Sequence, residues 1–379
     1  MAGSIDRPLR FAVVGCGNIG RAHARALGEL APRAEMVAAV DIVPDRAAAL
    51  AHEYGVVSLT SLEEALGRSD IDVVTLGTPS GLHADQAVAA LEAGKHVIIE
   101  KPLDVTMEAA ERVLRAEKRS DRTAMVVSQM RYLPASRVVR DAVQSGAFGT
   151  LTSGSANMAW WRSQAYYDSG DWRGTWALDG GGALMNQGIH VIDLFRWFFG
   201  DPVEVYAWTG RLAHQRIEVE DTAVAVVRFA NGALGTINGT TAAYPGVNRR
   251  IQVHGDRGSA IIDEGRLAYY HAASEDAEDL PYGSRGDDNQ AASVLPQKAP
   301  SERPEGQGES TDPALSPTDD GDEFHSPHAR QFSDFLDAVS EGRSPLVTVT
   351  EAAKTLALIR AIYESAQLGT PVQLTAVGD

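Results

Sequence analysis

The sequence predicts an α/β protein in two parts, a doubly wound parallel sheet over residues 1–128 and then an α+β domain with a largely antiparallel open sheet over 129–379. Three observations carry that reading. Short apolar runs alternate with helical patterns through the first part, and continuous apolar strands require cover on both faces, which helical crossovers supply. Beyond Gln129 the strand patterns lengthen and are separated by Gly-containing turns, with Asn231-Gly232 placed between two of them as in a two-residue hairpin whose central residues both need positive φ. The chain of 379 residues also exceeds one ordinary core.

Taken in order, the runs 11–14, 36–40, 73–76, 97–99 and 125–127 read as buried strands, and 19–30, 44–54, 62–66, 84–93 and 107–118 as the helices between them. A helix over 134–144 opens the second part and stops before Gly146. Strands follow at 203–211, 221–229, 233–241, 249–254, 259–263 and 266–271, with one long helix over 183–199 interrupting them. Residues 275–322 are rich in Pro, Gly, Ser and acids, the composition of a mobile acidic insertion. The C-terminal segment 327–368 returns to helix, over 327–340 and 349–368.

Composition narrows the function classes. A net charge of −17 opposes binding to nucleic acid, which needs cations facing phosphates. Much of it is local: residues 271–330 hold fourteen acids against four Lys and Arg, read as a solvated loop. Cys16 is the sole cysteine, which rules out an intrachain disulfide and a cysteine-rich zinc site. There is no apolar leader and no apolar run long enough to span a membrane. A cytoplasmic protein is expected, with no membrane partner.

The motif Gly15-Cys-Gly-Asn-Ile-Gly20 follows the first strand and opens the first helix. In that context it is the Rossmann fingerprint: Gly15 for the tight turn, Gly17 for close approach of a pyrophosphate, Gly20 for helix–strand contact. The N–H groups at the helix start, Asn18 and Ile19 included, face phosphate oxygens. Asp41, at the end of the next strand, is placed to accept hydrogen bonds from the adenine-ribose hydroxyls, which favours NAD, while Arg46 leaves NADP possible. Thr78, Pro79 and His83 lie past the 73–76 strand, at the carboxyl edge where such sheets bind ligands. Glu100, Lys101 and Gln129 complete the expected cofactor-facing set.

Two patterns carry the chemistry. Lys101 stands between Glu100 and Pro102 at the mouth of a buried strand, where a cation is costly without a task or a partner. Further on, Asn186 and His190 are four apart on the 183–199 helix and so share one face, behind the run Gly180-Gly181-Gly182, which suits close approach of a ligand. Histidine suits proton acceptance near neutrality. Lys101 suits either orientation of the oxygen and charge stabilisation or proton acceptance itself, and the residues alone leave both open. No third ligand accompanies His190 and Asp193, so no metal is expected.

Together these three motifs resemble the glucose–fructose oxidoreductase/inositol dehydrogenase/rhizopine-catabolism (Gfo/Idh/MocA) family over nearly the whole chain. The resemblance implies an NAD(P)-dependent oxidoreductase that moves a hydride between the nicotinamide and a secondary alcohol of a sugar, polyol or sugar nucleotide. It also implies Lys101 and His190 as the catalytic core, and a homo-dimer or homo-tetramer. Inositol dehydrogenases of the family carry an aspartate where this chain has Asn186, an amide that binds a hydroxyl but holds no proton. The stretch from Trp160 to Trp176 resembles the family's sugar-nucleotide 3-dehydrogenases, which oxidise a UDP-linked amino-sugar uronate. Arg131, Trp161, Arg162, Tyr167, Trp172, Arg173 and Asn186 are the expected substrate residues, aromatic faces suiting a pyranose and arginine a carboxylate or phosphate. Trp172 and Arg173 are alternatively cofactor contacts. A non-catalytic sensor of the same fold, and a reductase acting on a keto-sugar or dihydrodiol, are the rival functions.

Overall fold

A computed structural model describes residues 7–274, 288–295 and 326–378. The first part runs β1 (Leu9–Val14), α1 (Asn18–Glu29), β2 (Ala34–Val40), α2 (Pro44–Tyr54), β3 (Val57–Leu59), α3 (Leu62–Leu66), β4 (Val73–Leu76), α4 (His83–Glu92), β5 (His96–Ile99), α5 (Met107–Arg119) and β6 (Ala124–Val126). Its strands lie parallel in the order β3-β2-β1-β4-β5-β6. The order reverses beside β1, so the carboxyl ends of β1 and β4 open the crevice in which doubly wound sheets bind dinucleotides. Local chemistry sets the helix ends: Pro44 opens α2 and left-handed Gly55 closes it, while the Thr106 side chain accepts from Ala109 N at the start of α5.

The second part runs α6 (Pro134–Gln144), β7 (Leu151–Ala159), α7 (Gln164–Tyr167), a π-helical turn (Ala183–Gly188), α8 (Ile189–Phe199), β8 (Pro202–Gly210), β9 (Thr222–Phe229), β10 (Leu234–Thr240), β11 (Arg249–Gly255), β12 (Gly258–Asp263), β13 (Arg266–Ala272), α9 (Ala291–Val294), α10 (Pro327–Glu341), α11 (Val349–Leu368) and β14 (Val372–Gln373). Its eight strands are ordered β13-β12-β11-β7-β10-β9-β8-β14, antiparallel except for the β7–β10 pair. One face packs on α8 and α11, where Phe195, Phe199 and Phe229 meet ring to ring.

The structure corrects the sequence reading at four places. β7 was not foreseen, because Leu151–Ala159 is built of Ser, Gly, Asn and Ala rather than the β-branched residues strands favour. Pairing on both sides holds it, and a Cβ on Gly154 would stand 2.5 Å from the Phe199 ring. The Asn231-Gly232 hairpin has a three-residue loop: Phe229 pairs with Ala233 and only Gly232 is left-handed, at φ +88°. The 183–199 helix is two elements, the π turn and then α8. Most of the acidic insertion 275–322 lies outside the described residues, but 288–295 is anchored, with Gln290 N donating to Tyr270 O at 2.7 Å.

α10, read from sequence as part of the second domain, packs back on α1 of the first, where Phe332, Phe335 and Leu336 join Phe11 and Leu27 in one core. Among the described residues no helix is long and apolar enough to cross a membrane.

Candidate active site

The glycine loop has the geometry a pyrophosphate needs. Gly15 is left-handed at φ +89°, and a Cβ there would lie 2.6 Å from Gly77 O. On Gly20 it would meet Gly15 O at 1.9 Å, so both positions exclude a side chain. Gly17 differs: nothing lies within 4 Å of its Cβ position, which leaves open space over the start of α1. No side chain caps that helix, so the N–H groups of Asn18, Ile19 and Gly20 are directed into this space. Asp41 flanks it, accepting from Cys16 N at 2.8 Å and Val43 N at 2.9 Å. The residues fit a dinucleotide: a backbone cradle for the phosphates, with a carboxylate one strand away. Asp41→Ala is expected to raise KM for NAD about tenfold, from loss of charged hydrogen bonds, with kcat little changed in initial-rate assays.

Other residues expected to face the cofactor also make contacts within the protein. His83 is 1% exposed, its ring nitrogens 2.7 Å from Pro102 O and 2.9 Å from Thr78 O, so it ties two loops together. The Thr78 hydroxyl donates to Gln86 Oε1 at 2.6 Å, beside Pro79 at the end of β4. Gln129 is buried in the turn after β6. The Glu100 side chain turns inward, 3.0 Å from His23 Nε2 and 3.5 Å from His328 Nε2. Burial pushes the Glu100 carboxyl up, but these two rings outweigh it and hold it well below the ordinary value. The cluster of α1, β5 and α10 residues thereby fastens the backbone next to Lys101.

Lys101 and His190 come together as the sequence implied, lining one crevice with Pro102, Ser128, Ile189 and Asp193. Lys101 Nζ donates to the main-chain oxygen of Asn186 at 2.8 Å. His190 is 5% exposed, and its ring makes no hydrogen bond among the described residues. Burial first, then Lys101, pushes its pKa down to about 3. Burial thus favours the neutral imidazole of His190 over its charged form.

Asn186 lies in the π turn and His190 in the first turn of α8. The amide Nδ2 of Asn186 donates to Asp179 Oδ1 at 2.5 Å and its Oδ1 accepts from Gln187 Nε2 at 3.1 Å. Nor do the three glycines make room for a ligand. A Cβ on Gly180, Gly181 or Gly182 would strike Val105, the Tyr363 hydroxyl or Glu220 O, so they admit protein. The Glu220 carboxylate accepts from Gly182 N and Leu184 N, both at 2.9 Å, and from the Tyr363 hydroxyl at 3.0 Å. Asp179 and Glu220 were missed because a lone acid beside glycines, or in a loop before a strand, carries no sequence signal.

The expected substrate residues divide. Arg131 is wholly buried, with Nε and Nη2 each 2.7 Å from Asp193 and Nη1 3.1 Å from Glu351. Tyr167 is 5% exposed and hydrogen-bonds Thr241 at 2.8 Å over Ile217 and Val219. Both serve packing, which removes them from the substrate set. The others gather: Arg162 Nη2 donates to Gln187 Oε1 at 3.0 Å, Gln187 Nε2 to the Tyr166 hydroxyl at 2.9 Å, and Arg173 Nη1 to that same hydroxyl at 2.6 Å. The Arg173 guanidinium lies 4.3 Å from the Tyr166 ring centre and 4.5 Å from that of Trp172. Trp161 packs edge-on to exposed Tyr244. Neither arginine meets a carboxylate among the described residues, and Arg162 Nε is buried without a hydrogen-bond partner. Tyr166 was unremarkable in sequence, one tyrosine of a pair.

A dinucleotide cradle opening on a lysine–imidazole pair defines a nicotinamide-dependent oxidoreductase acting on CH–OH groups. Residues 9–128 match the family model described as oxidoreductase family, NAD-binding Rossmann fold, and residues 136–261 match the GFO/IDH/MocA C-terminal domain, so the chain belongs to the Gfo/Idh/MocA family. Levoglucosan dehydrogenase of Pseudarthrobacter phenanthrenivorans is 30% identical over 67% of this chain and 73% of its own. The scyllo-inositol 2-dehydrogenase (NAD(+)) of Bacillus subtilis is 25% identical over 98% and 97%. The WlbA dehydrogenase of Bordetella pertussis, solved with NADH and UDP-GlcNAcA, superposes with a TM-score of 0.82 at 31% identity, covering 98% of this chain and 99% of that one. NAD is the cofactor of this family and of this chain.

Proposed function

We propose that the chain oxidises a secondary hydroxyl of a nucleotide-linked sugar uronate, with Lys101 as proton acceptor. The observation that carries this is the pair of arginines, Arg162 and Arg173, bracketing Tyr166 with no carboxylate partner among the described residues and joined through Gln187 and Asn186 to Lys101. Such a pair is matched by an anion. The similar WlbA protein binds a sugar of that kind, which supports the choice over a neutral polyol.

Bound NAD supplies the hydride acceptor. The chain's own residues handle the rest: the hydroxyl proton passes to Lys101 Nζ, which already points at the Asn186 main chain, and neutral His190 holds the reacting oxygen through a ring nitrogen. Arg162 and Arg173 fix the carboxylate, so that the reacting carbon faces the nicotinamide pocket. Arg162→Ala or Arg173→Ala is expected to raise KM for a UDP-linked uronate about 10–100-fold and to leave KM for the neutral UDP-sugar nearly unchanged. Equal effects on the two substrates, or no wild-type turnover of the uronate, would sink the reading.

We also propose that a second copy covers the outer face of the larger sheet. Trp208 and Val224 are register partners, as are Tyr206 and Val226. Trp208 is 61% exposed, and with Val224, Val226 and Leu234 it forms an apolar strip on the face away from α8. A single buried free cysteine suits a reducing cytoplasm. Trp208→Glu combined with Val226→Glu is expected to shift sedimentation to a smaller species; a wild-type monomer would refute the assembly.

A further inference from the structure

We propose that Asp179 is a positioning residue of the catalytic centre, acting through the Asn186 amide on Lys101. The proposal rests on Lys101 as proton acceptor, the reading given above.

Asp179 is 1% exposed and has no ion-pair partner within 4 Å among the described residues. Its Oδ2 accepts from Gly174 N at 2.8 Å and its Oδ1 from Asn186 Nδ2 at 2.5 Å. A buried carboxylate held only by neutral donors is expensive, and the ordinary remedy, an arginine in contact, is absent. The nearest positive charges are Lys101 and Arg173, which act on it at a distance. Facing it from other elements are Tyr167 on α7 and Tyr363 on α11. The first two charges favour its ionised form; burial opposes them and pushes the Asp179 carboxyl upward.

Two consequences for Lys101 follow from that placement. An ionised carboxylate is acceptor-only, so it fixes the Asn186 amide with its NH2 toward Asp179 and its oxygen toward the Gln187 amide, which also binds Arg162 and Tyr166. The amide is thereby held next to the main-chain oxygen that binds Lys101 Nζ. The ammonium formed when Lys101 takes the hydroxyl proton also stands in the field of Asp179, which stabilises it. This chain thus sets an amide at position 186 and a buried carboxylate behind it.

The test compares Asp179→Asn, the charge-relocating pair Asp179→Asn with Asn186→Asp, and Asn186→Ala. Each is assayed on whichever secondary alcohol the wild-type enzyme oxidises, so a wrong substrate class shows first as wild-type inactivity on uronates and leaves this comparison intact. Asp179→Asn is expected to lower kcat at least about tenfold, to move the acid limb of kcat/KM about one unit to lower pH because the Lys101 ammonium loses its counter-charge, and to leave the NADH Kd unchanged. The pair, with its carboxylate one residue nearer Lys101, is expected to return kcat to within about threefold of wild type and the limb to its place. Should Asp179→Asn fold poorly, Asn186→Ala breaks the same link with the carboxylate in place and is expected to lower kcat by a similar factor. An unshifted pH profile in Asp179→Asn, a pair no more active than that single variant, or an unchanged kcat in Asn186→Ala would each overturn the proposal.

Discussion

Lys101→Met is expected to lower kcat by about 10²–10⁴-fold while the Kd for NADH stays near the wild-type value. The side chain is only partly buried and its single hydrogen bond among the described residues goes to the Asn186 main chain, so methionine keeps the stem and removes the amine. The loss falls on kcat because the interaction it removes strengthens as the hydroxyl proton leaves. His190→Asn provides the contrast. Burial first, then the Lys101 charge, pushes the imidazole pKa down to about 3, which favours its neutral form. Its replacement should lower kcat through lost hydrogen bonding without removing any limb of the pH profile between about pH 5 and 9. Measuring NADH absorbance across that range with each variant separates the two roles. A profile that loses its acid limb in His190→Asn would transfer proton acceptance to the histidine.

Arg131→Ala is expected to destabilise the fold by about 3–5 kcal/mol, read as a shift in urea midpoint at constant slope. Arg131 is wholly enclosed between α8 and α11, and its loss leaves Asp193, among the described residues, with hydrogen bonds from Ser128 and Thr355 and the more distant charge of Arg196. Burial pushes the Asp193 carboxyl up, but Arg131 more than reverses this and brings it down to about 2. A depressed carboxylate contributes stability that is complete above its unfolded value near 4 and is lost as pH falls through about 2. The gap between wild type and Arg131→Ala should therefore narrow as pH falls toward 2 and Asp193 becomes protonated in both proteins. Adding Asp193→Asn should recover part of the loss, since no buried charge is then left unpaired. A gap under about 1 kcal/mol would mean that the triad contributes little beyond its own desolvation.

The first sheet was legible in the sequence because its signals are local. Gly15, Gly17 and Gly20 sit at a strand–helix junction where spacing alone constrains the backbone, and uncharged runs such as Val73–Leu76 have no other way to be buried. The second sheet was less so. β7 draws its stability from neighbours far along the chain, so its Ser- and Gly-rich segment carries no strand signal of its own. The site shows the same division. Lys101 and His190 announce themselves through motifs, whereas the burial that neutralises His190, the enclosure of Arg131 and the nearness of Asp179 to Asn186 come from packing. Aromatic composition marked the segment from Trp160 to Trp176 without telling Tyr167, which faces Ile217, from Tyr166, which faces two guanidiniums.

The π turn at Ala183–Gly188 makes the site sensitive to the number of residues as well as their identity. Such a turn is an α-helix carrying surplus chain. Removing one residue from it would restore the ordinary pitch and rotate Asn186 about 100° around the axis relative to α8. The acceptor for Lys101 would then point elsewhere, although every side chain of the crevice was still present. Length changes within these six positions are thus a route to new substrate geometry that no alanine scan would reveal.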